Sequence, residues 1–89
     1  NRIESITLAD GRELNVSCLF CMRDSIAPTT ILSSLATEKN RIIVDRDMAT
    51  NIPGAFACGD CTGTPYQIAK AVGEGNAAAH SAIKYLASV

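Results

Sequence analysis

The 89 residues suffice for one small domain or for part of a larger one, and a hydrophobic content of 47% against 19% charged residues indicates a folded, core-forming chain. Eight basic and nine acidic residues give a formal net charge of −1, with no block of one sign, which argues against nucleic acid or an anionic membrane as a partner. No apolar run approaches the ~20 residues that span a bilayer, and no secretory leader pattern is visible, so we expect a cytoplasmic protein.

The N-terminal quarter of the sequence predicts a β-hairpin. Residues 2–8 are β-prone, and the Asp10-Gly11 pair that follows favours the positive φ angles of a tight turn. A returning strand is predicted over residues 14–20, where apolar side chains occupy every second position, namely Leu14, Val16, Cys18 and Phe20. One face of this second strand is therefore expected to be buried.

The middle of the chain predicts a short helix and a short strand. Pro28 pushes the residue before it out of helical geometry. Thr29 or Thr30 can then cap a helix over residues 31–35. Residues 41–45 are rich in β-branched side chains and predict a strand.

The C-terminal half predicts a buried strand followed by a long helix. Residues 55–58 are four consecutive apolar residues, which is typical of a strand buried on both faces in a parallel sheet. Over residues 66–86 apolar side chains recur at three- and four-residue steps, which predicts a helix roughly 30 Å long. Many of them are Ala or Gly, and we assign Gly73 and Gly75 to close helix packing rather than to ligand contact.

The junction between that strand and that helix is the segment that favours ligand binding. Gly59 and Asp60 follow the apolar strand, and a loop through Pro65 leads into the helix. This order places a carboxylate where open α/β sheets bind ligands, and it points free amides and the positive end of a helix dipole at the same place. The residues alone leave two interpretations open: Asp60 accepts hydrogen bonds from ligand hydroxyls, or it merely caps the loop.

A resemblance to a known family decides between them. Residues 50–60, TNIPGAFACGD, and residues 66–78, YQIAKAVGEGNAA, together resemble the closing FAD motif of the thioredoxin reductase family. That motif has a Pro-Gly pair, a short apolar strand ending in Gly-Asp, and a later Gln-led helix rich in Ala, Gly and Glu. More weakly, residues 11–20 resemble the strands that return from the nucleotide domain to the flavin domain.

The resemblance implies an α/β fold: a fragment of an FAD/NAD(P)-binding Rossmann-like domain, with an N-terminal β-hairpin, short strands and a long C-terminal helix. Residues 1–22 would form the hairpin leading from a missing nucleotide domain, and residues 23–89 the C-terminal part of the FAD-binding domain. The implied activity is that of a thioredoxin reductase-like, FAD-dependent disulfide oxidoreductase. We expect the isolated chain to lack turnover.

The resemblance also implies roles for individual residues. Asp60 would hydrogen-bond the ribityl hydroxyls of FAD, and Gly59 would permit close backbone approach. Gln67 and Ile68 would open the helix whose amides face the polar edge of the isoalloxazine. No residue of this chain is assigned a catalytic or metal-binding role. The expected partners are the missing N-terminal FAD half, the nucleotide domain and further copies of the chain in a homo-oligomer.

Two departures from the family pattern limit what the resemblance implies. Residues 21–28 contain no glycine where family members usually carry one. This feature resembles a divergent clostridial-type branch, and it leaves the electron donor and the disulfide substrate open. Residues 73–78 match G-x-G-x-x-A, but they lie inside a predicted helix instead of after a strand, so they are not interpreted as a dinucleotide-binding turn.

Two C-x-x-C pairs support alternative functions. A small zinc-binding module would use all four thiols, those of Cys18, Cys21, Cys58 and Cys61. The gap between the two pairs is about twice the usual one for such sites, which argues against zinc. We expect the second pair to be buried, unreactive thiols, with a redox role as the less favoured interpretation. A non-catalytic interaction domain is the remaining alternative.

Three ionisable residues of the predicted helix are not assigned to the site, and His80 has no acidic or hydroxyl partner at catalytic spacing. His80 is expected to be a surface or packing residue, and Lys70 and Lys84 are expected to be solvated charges.

Overall fold

The computed structural model describes residues 1–89 as an α/β chain with two small sheets and a long C-terminal helix. In chain order its elements are β1 (Ser5–Thr7), β2 (Glu13–Asn15), α1 (Pro28–Ile31), β3 (Thr37–Glu38), β4 (Arg41–Ile42), a 3₁₀ turn (Gly59–Thr62) and α2 (Ile68–Ser88). Both sheets are two-stranded and antiparallel. No helix is long and apolar enough to cross a membrane.

The predicted N-terminal hairpin is confirmed, although its second strand is shorter than expected. Strands β1 and β2 pair with Ile6 opposite Leu14, and Gly11 adopts a φ of +88° in the connecting turn. Strand β2 ends at Asn15, and Cys18 and Phe20 beyond it are exposed. The prediction of a buried face reaching residue 20 is therefore wrong for this chain, because no other element of the chain covers that face.

The first helix begins earlier than predicted. It spans Pro28–Ile31, with Pro28 in the first turn and Ala27 as an extended N-cap that makes no side-chain cap hydrogen bond. The prediction that Thr29 or Thr30 caps the helix is wrong. Proline suits the first helical position because its φ is already fixed near the helical value and its missing N–H would have no partner there.

The predicted strand over residues 41–45 is reduced to Arg41–Ile42. It pairs with β3, which the sequence pattern did not predict, with Thr37 opposite Ile42. The connecting residues Lys39 and Asn40 have φ angles of 50° and 63°, the conformation that two-residue hairpin turns require. This pair lacks glycine, so the turn is not evident from composition.

Residues 55–58 do not form a strand of a parallel sheet. Phe56 makes a single antiparallel bridge to Ala49, and Ala57 is buried while its neighbours are half-buried. The prediction of a strand buried on both faces is wrong for the chain taken alone, because the chain supplies no strand to run beside it. The preceding turn is held by Thr50, whose hydroxyl donates to the carbonyl of Ala55 at 2.9 Å.

The long C-terminal helix is confirmed. It spans Ile68–Ser88 against a predicted 66–86, and it packs on the 3₁₀ turn, which in turn contacts β4. Near its C-terminal end Tyr85 meets Phe56 edge to face, with ring centroids 6.2 Å apart.

The hydrophobic core of the chain is small and the chain is elongated. Ile42, Ala57 and Ala78 are the only buried hydrophobic residues, each 8% exposed. The radius of gyration is 18.5 Å, whereas a compact domain of this length would have about 12 Å. The chain therefore presents much of its apolar surface outward.

Candidate functional site

The junction singled out from the sequence is a 3₁₀ turn whose shape depends on glycine. Cys58 before the turn is extended, and Gly59 has a φ of +86°. A Cβ at Gly59 would lie 3.6 Å from the Cβ of Ala71, an ordinary contact. Gly59 is therefore required by its backbone conformation, which L residues rarely adopt, rather than by lack of space.

Lys70 and Glu74 of helix α2 hold this turn in place. The Glu74 carboxylate accepts hydrogen bonds from the Gly59 N–H at 3.0 Å and the Thr62 hydroxyl at 2.9 Å. The Lys70 ammonium donates to the carbonyls of Gly59 at 2.9 Å and Gly63 at 2.6 Å. Lys70 and Glu74 lie 3.4 Å apart, and their side chains are only 17% and 18% exposed. We call these five residues the Lys70–Glu74 network.

The Thr62 hydroxyl completes the network. It lies 2.8 Å from the Gly59 carbonyl and within 3.0 Å of both Glu74 oxygens, and the Lys70 ammonium is 3.1 Å away. A hydroxyl has one proton, and a bond to a carboxylate is stronger than one to a neutral carbonyl. Thr62 thus donates to Glu74 and accepts from Lys70. No buried side-chain polar atom is left without a hydrogen bond.

The charge of Glu74 is stabilised by this arrangement. Burial raises the pKa of the carboxyl, but the hydrogen bonds from Gly59, Thr62 and Lys70, together with the positive charge of Lys70, outweigh it and hold the pKa below the ordinary value of 4.5. Glu74 is therefore an ionised, structural acceptor at neutral pH.

The prediction that Lys70 is a solvated charge is wrong, because its ammonium is enclosed by the turn it binds. The i,i+4 spacing of Lys70 and Glu74 in the helix that follows the Gly-Asp turn is the sequence signal that indicates their pairing. Lys84 and His80 are exposed, as predicted. The assignment of Gly73 and Gly75 to close packing is not met within this chain, where a Cβ at either position would have no neighbour within 4 Å.

The Asp60 carboxylate and the first N–H groups of α2 make no hydrogen bonds to side chains of this chain. Asp60 is exposed, and its carboxylate takes no part in the Lys70–Glu74 network. Gln67 is the extended N-cap of α2, and its side chain makes no cap hydrogen bond. Ile68 is the first helical residue and is 85% exposed. The first N–H groups of α2 are thus without a side-chain partner, and they lie at the positive end of the helix dipole.

The structure brings the four predicted site residues to one region. The turn that carries Gly59 and Asp60 packs on the start of α2 through Ala71 and Lys70, one turn beyond Gln67 and Ile68. A free carboxylate suits ligand hydroxyls, and uncapped amides suit electron-rich ligand atoms. The donor and acceptor types present therefore fit the ribityl chain and the polar ring edge of a flavin.

The structure does not bring the four cysteines together. The thiols of Cys18 and Cys21 are exposed, and those of Cys58 and Cys61 are half-buried. No group of three or more His, Cys, Asp or Glu side chains is arranged to hold a metal ion. The prediction that Cys58 and Cys61 are buried is wrong, because both remain half-buried although Gly59 and Thr62 of the same segment are buried.

A second surface feature was not predicted from the sequence. An open groove of about 910 Å³ runs between residues 45–56 and the C-terminal half of α2, and Phe56 and Tyr85 line it. At its edge Gly54 has a φ of +81°, and a Cβ there would lie 3.1 Å from the Tyr85 ring. None of the predicted site residues lines this groove.

Comparison with known proteins agrees with this architecture. Residues 1–75 match the family described as pyridine nucleotide-disulphide oxidoreductase. A ferredoxin-flavin thioredoxin reductase from Clostridium acetobutylicum is 44% identical with a TM-score of 0.71, covering 97% of this chain and 30% of that one. The atypical thioredoxin reductase TRi from Desulfovibrio vulgaris Hildenborough is 36% identical with a TM-score of 0.65, covering 96% and 29%.

Curated relatives point the same way. A component of the alkyl hydroperoxide reductase of Escherichia coli (strain K12) is 48% identical over 65 residues, which are 68% of this chain and 12% of that protein. The chain spans less than a third of the length of each of these relatives. On the family match and the two structural likenesses together, the chain belongs to the pyridine nucleotide-disulphide oxidoreductase family and is thioredoxin reductase-like.

Proposed function

We propose that this chain is the C-terminal part of the FAD-binding domain of a thioredoxin reductase-like, flavin-dependent disulfide oxidoreductase. The observation that carries the proposal is the Gly59-Asp60 turn, fixed against the start of α2 with the Asp60 carboxylate and the first amides of the helix unengaged. The family match and the likeness to flavin thioredoxin reductases support it.

Each site residue has a defined role in this proposal. Asp60 accepts hydrogen bonds from the ribityl hydroxyls, while Gly59 supplies the backbone shape that presents it. Gln67 and Ile68 begin the helix whose N–H groups face the polar edge of the isoalloxazine. The flavin, when bound, supplies the electron-transfer chemistry. Lys70 and Glu74 are positioning residues, since they bind the turn and not the cofactor.

The remainder of the Rossmann-like domain is proposed to come from chain outside these residues. Residues 55–58 have the composition of a strand buried on both faces, yet here they make only one bridge. Residues 1–22 would lead in from the nucleotide domain, and residues 23–89 would complete the FAD domain. Without the other half there is no site for the ADP part of FAD, so the chain alone has no turnover.

The proposal is tested by replacing Asp60 in the intact protein that carries this sequence. We expect Asp60→Ala to weaken FAD binding about 10- to 100-fold, because a hydrogen bond to a charged group contributes about 1.5–3 kcal/mol. The measurement is the FAD-to-protein ratio after gel filtration and the Kd from quenching of flavin fluorescence. Asp47→Ala is the matched control, since Asp47 is also exposed but lies away from the turn.

Two results would contradict the proposal. One is an intact protein that purifies colourless and does not take up added FAD. The other is an Asp60→Ala variant that binds FAD as tightly as the Asp47→Ala control.

A further inference from the structure

Cys58 and Cys61 lie on either side of Gly59 and Asp60, at the start of the 3₁₀ turn. Cys58 is the residue that precedes the turn, and Cys61 is its third residue. The Cys61 thiol donates to the backbone carbonyl of Cys58, with Sγ and O 3.2 Å apart. Both cysteines are free thiols and both are half-buried. Neither has a role in the proposed binding of flavin.

The local fold brings these two cysteines near each other. They are residues i and i+3 of a chain reversal, a spacing at which Cα atoms lie within about 7 Å of each other. A disulfide requires a Cα separation of about 4.4–6.8 Å. The Cys61 thiol already contacts the Cys58 backbone, and the Lys70–Glu74 network holds Gly59 and Thr62 of the same turn in place.

The other C-x-x-C pair has the same spacing but no such turn. Cys18 and Cys21 lie in an irregular segment after β2, and no hydrogen bond joins them, whereas the Cys61 thiol bonds the Cys58 carbonyl. Closing a disulfide there has to fix backbone that no turn holds at the required separation, at a cost in conformational entropy. Cys18 and Cys21 therefore serve as a comparison, within the same chain, for the effect of the turn on disulfide formation between Cys58 and Cys61.

We propose that Cys58 and Cys61 form a redox-active dithiol that closes into a disulfide across the Gly59-Asp60 turn by exchange with small organic disulfides. One deprotonated thiol attacks a sulfur of the small disulfide, forming a mixed disulfide and releasing one thiolate. The second deprotonated thiol then attacks the protein sulfur of the mixed disulfide and releases the other thiolate. Both cysteine sulfurs are oxidised, the small disulfide is reduced to two thiols, and the two protons pass to solvent or to the released thiolates.

This site goes beyond the proposed function and does not depend on it. The closure needs only the turn and the two thiols, so it is expected whether or not FAD binds. If Asp60 does hold the ribityl chain, the disulfide would fix the turn on which Asp60 sits. A failure to bind FAD and a failure to form the disulfide are separate results, measured by separate methods.

The test uses the intact protein, equilibrated with oxidised and reduced glutathione at graded ratios. Remaining thiols are alkylated, and the protein is digested with trypsin and analysed by mass. Residues 47–70 form one peptide that holds Cys58 and Cys61, and residues 13–23 form another that holds Cys18 and Cys21. We expect the 47–70 peptide to lose two hydrogens and resist alkylation. This should happen at a ratio of oxidised to reduced glutathione about tenfold lower than the ratio at which the 13–23 peptide is oxidised.

Cys58→Ser and Cys61→Ser serve as the controls. Each leaves one thiol, so the 47–70 peptide should carry a glutathione adduct in place of the internal bond. The proposal is overturned if the wild-type 47–70 peptide keeps two alkylatable thiols, if it retains a glutathione adduct, or if it oxidises at no lower a ratio than the 13–23 peptide.

Discussion

The ionisation of Glu74 makes the stability of the 3₁₀ turn depend on pH. Its carboxylate accepts hydrogen bonds from the Gly59 amide and the Thr62 hydroxyl while it pairs with Lys70. A carboxyl whose pKa is lower in the folded chain stabilises the folded state at pH values above its ordinary pKa, here 4.5. This contribution is lost as the pH falls through the lowered value, because protonation removes the charged acceptor.

We therefore expect Glu74→Gln to reduce the dependence of stability on acid pH. The wild-type protein should lose urea resistance as the pH falls from neutrality to below the ordinary glutamate pKa, and the variant should lose less over the same range. The measurement is the urea midpoint as a function of pH, with the exposed Glu4→Gln as control. A Glu74→Gln variant with the full wild-type acid dependence would show that another group causes it.

Substitution by alanine at Gly54 and at Gly73 is expected to change the free energy of unfolding in opposite directions, because the two backbones have different conformations. Gly54 has a φ of +81° and a Cβ there would press on Tyr85 at 3.1 Å, whereas Gly73 is helical with no neighbour within 4 Å. In the isolated chain Gly54→Ala should lower the free energy of unfolding by about 1–2 kcal/mol. Gly73→Ala should raise it by about 0.5–1 kcal/mol. Urea unfolding followed by circular dichroism measures both, and equal stabilities would contradict the interpretation.

At the scale of elements, α2 is joined to the 3₁₀ turn by polar contacts more than by apolar ones. Lys70 supplies donors to the carbonyls of Gly59 and Gly63, and the apolar group nearest to a Cβ at Gly59 is the small side chain of Ala71. The position of the turn on the helix therefore depends on an ammonium group.

Lys70→Met tests this dependence while preserving side-chain length. We expect it to lower the free energy of unfolding by about 1–3 kcal/mol, because the turn carbonyls lose their donor and Glu74 loses its paired cation. Lys84→Met, on the exposed part of the same helix, should change stability by less than about 0.5 kcal/mol. Thermal or urea unfolding of the two variants in parallel makes the comparison, and equal effects would refute the assigned role of Lys70.

At the scale of the whole molecule, the chain exposes more apolar side chains than a stable monomer normally does. Phe20 is 84% exposed and Met22 is 91% exposed in the segment after β2. Other large apolar side chains of both helices are also exposed, namely Ile31, Ile68, Val72, Ile83 and Leu86. Such surface normally marks an interface with another chain or with another part of the same protein.

We expect the isolated chain to self-associate for this reason. Sedimentation velocity over a series of protein concentrations should show species larger than a monomer at high concentration. Replacing Phe20 and Met22 with Lys should shift the distribution toward monomer, because the substitutions remove exposed apolar area and add like charge. A strictly monomeric profile of the unmodified chain at high concentration would contradict the prediction.

The sequence by itself determined the features that depend on neighbouring residues. The Asp10-Gly11 pair predicted the hairpin turn, and the three- and four-residue periodicity predicted α2 to within two residues at each end. The order of Gly59, Asp60 and helix start indicated the candidate site, and the resemblance of residues 50–60 and 66–78 to a known motif indicated the family. These signals are local, because turn geometry and helical period are set by residues a few positions apart.

Only the tertiary structure decided which side chains contact each other across longer separations. Lys70 became a partner of the turn instead of a solvated charge, and residues 55–58 became a single bridge instead of a sheet strand. Composition could not give either result. Burial and pairing depend on which other elements are present to pack against a residue. In this chain helix α2 places Lys70 and Glu74 against the 3₁₀ turn, but no neighbouring sheet encloses the apolar residues 55–58.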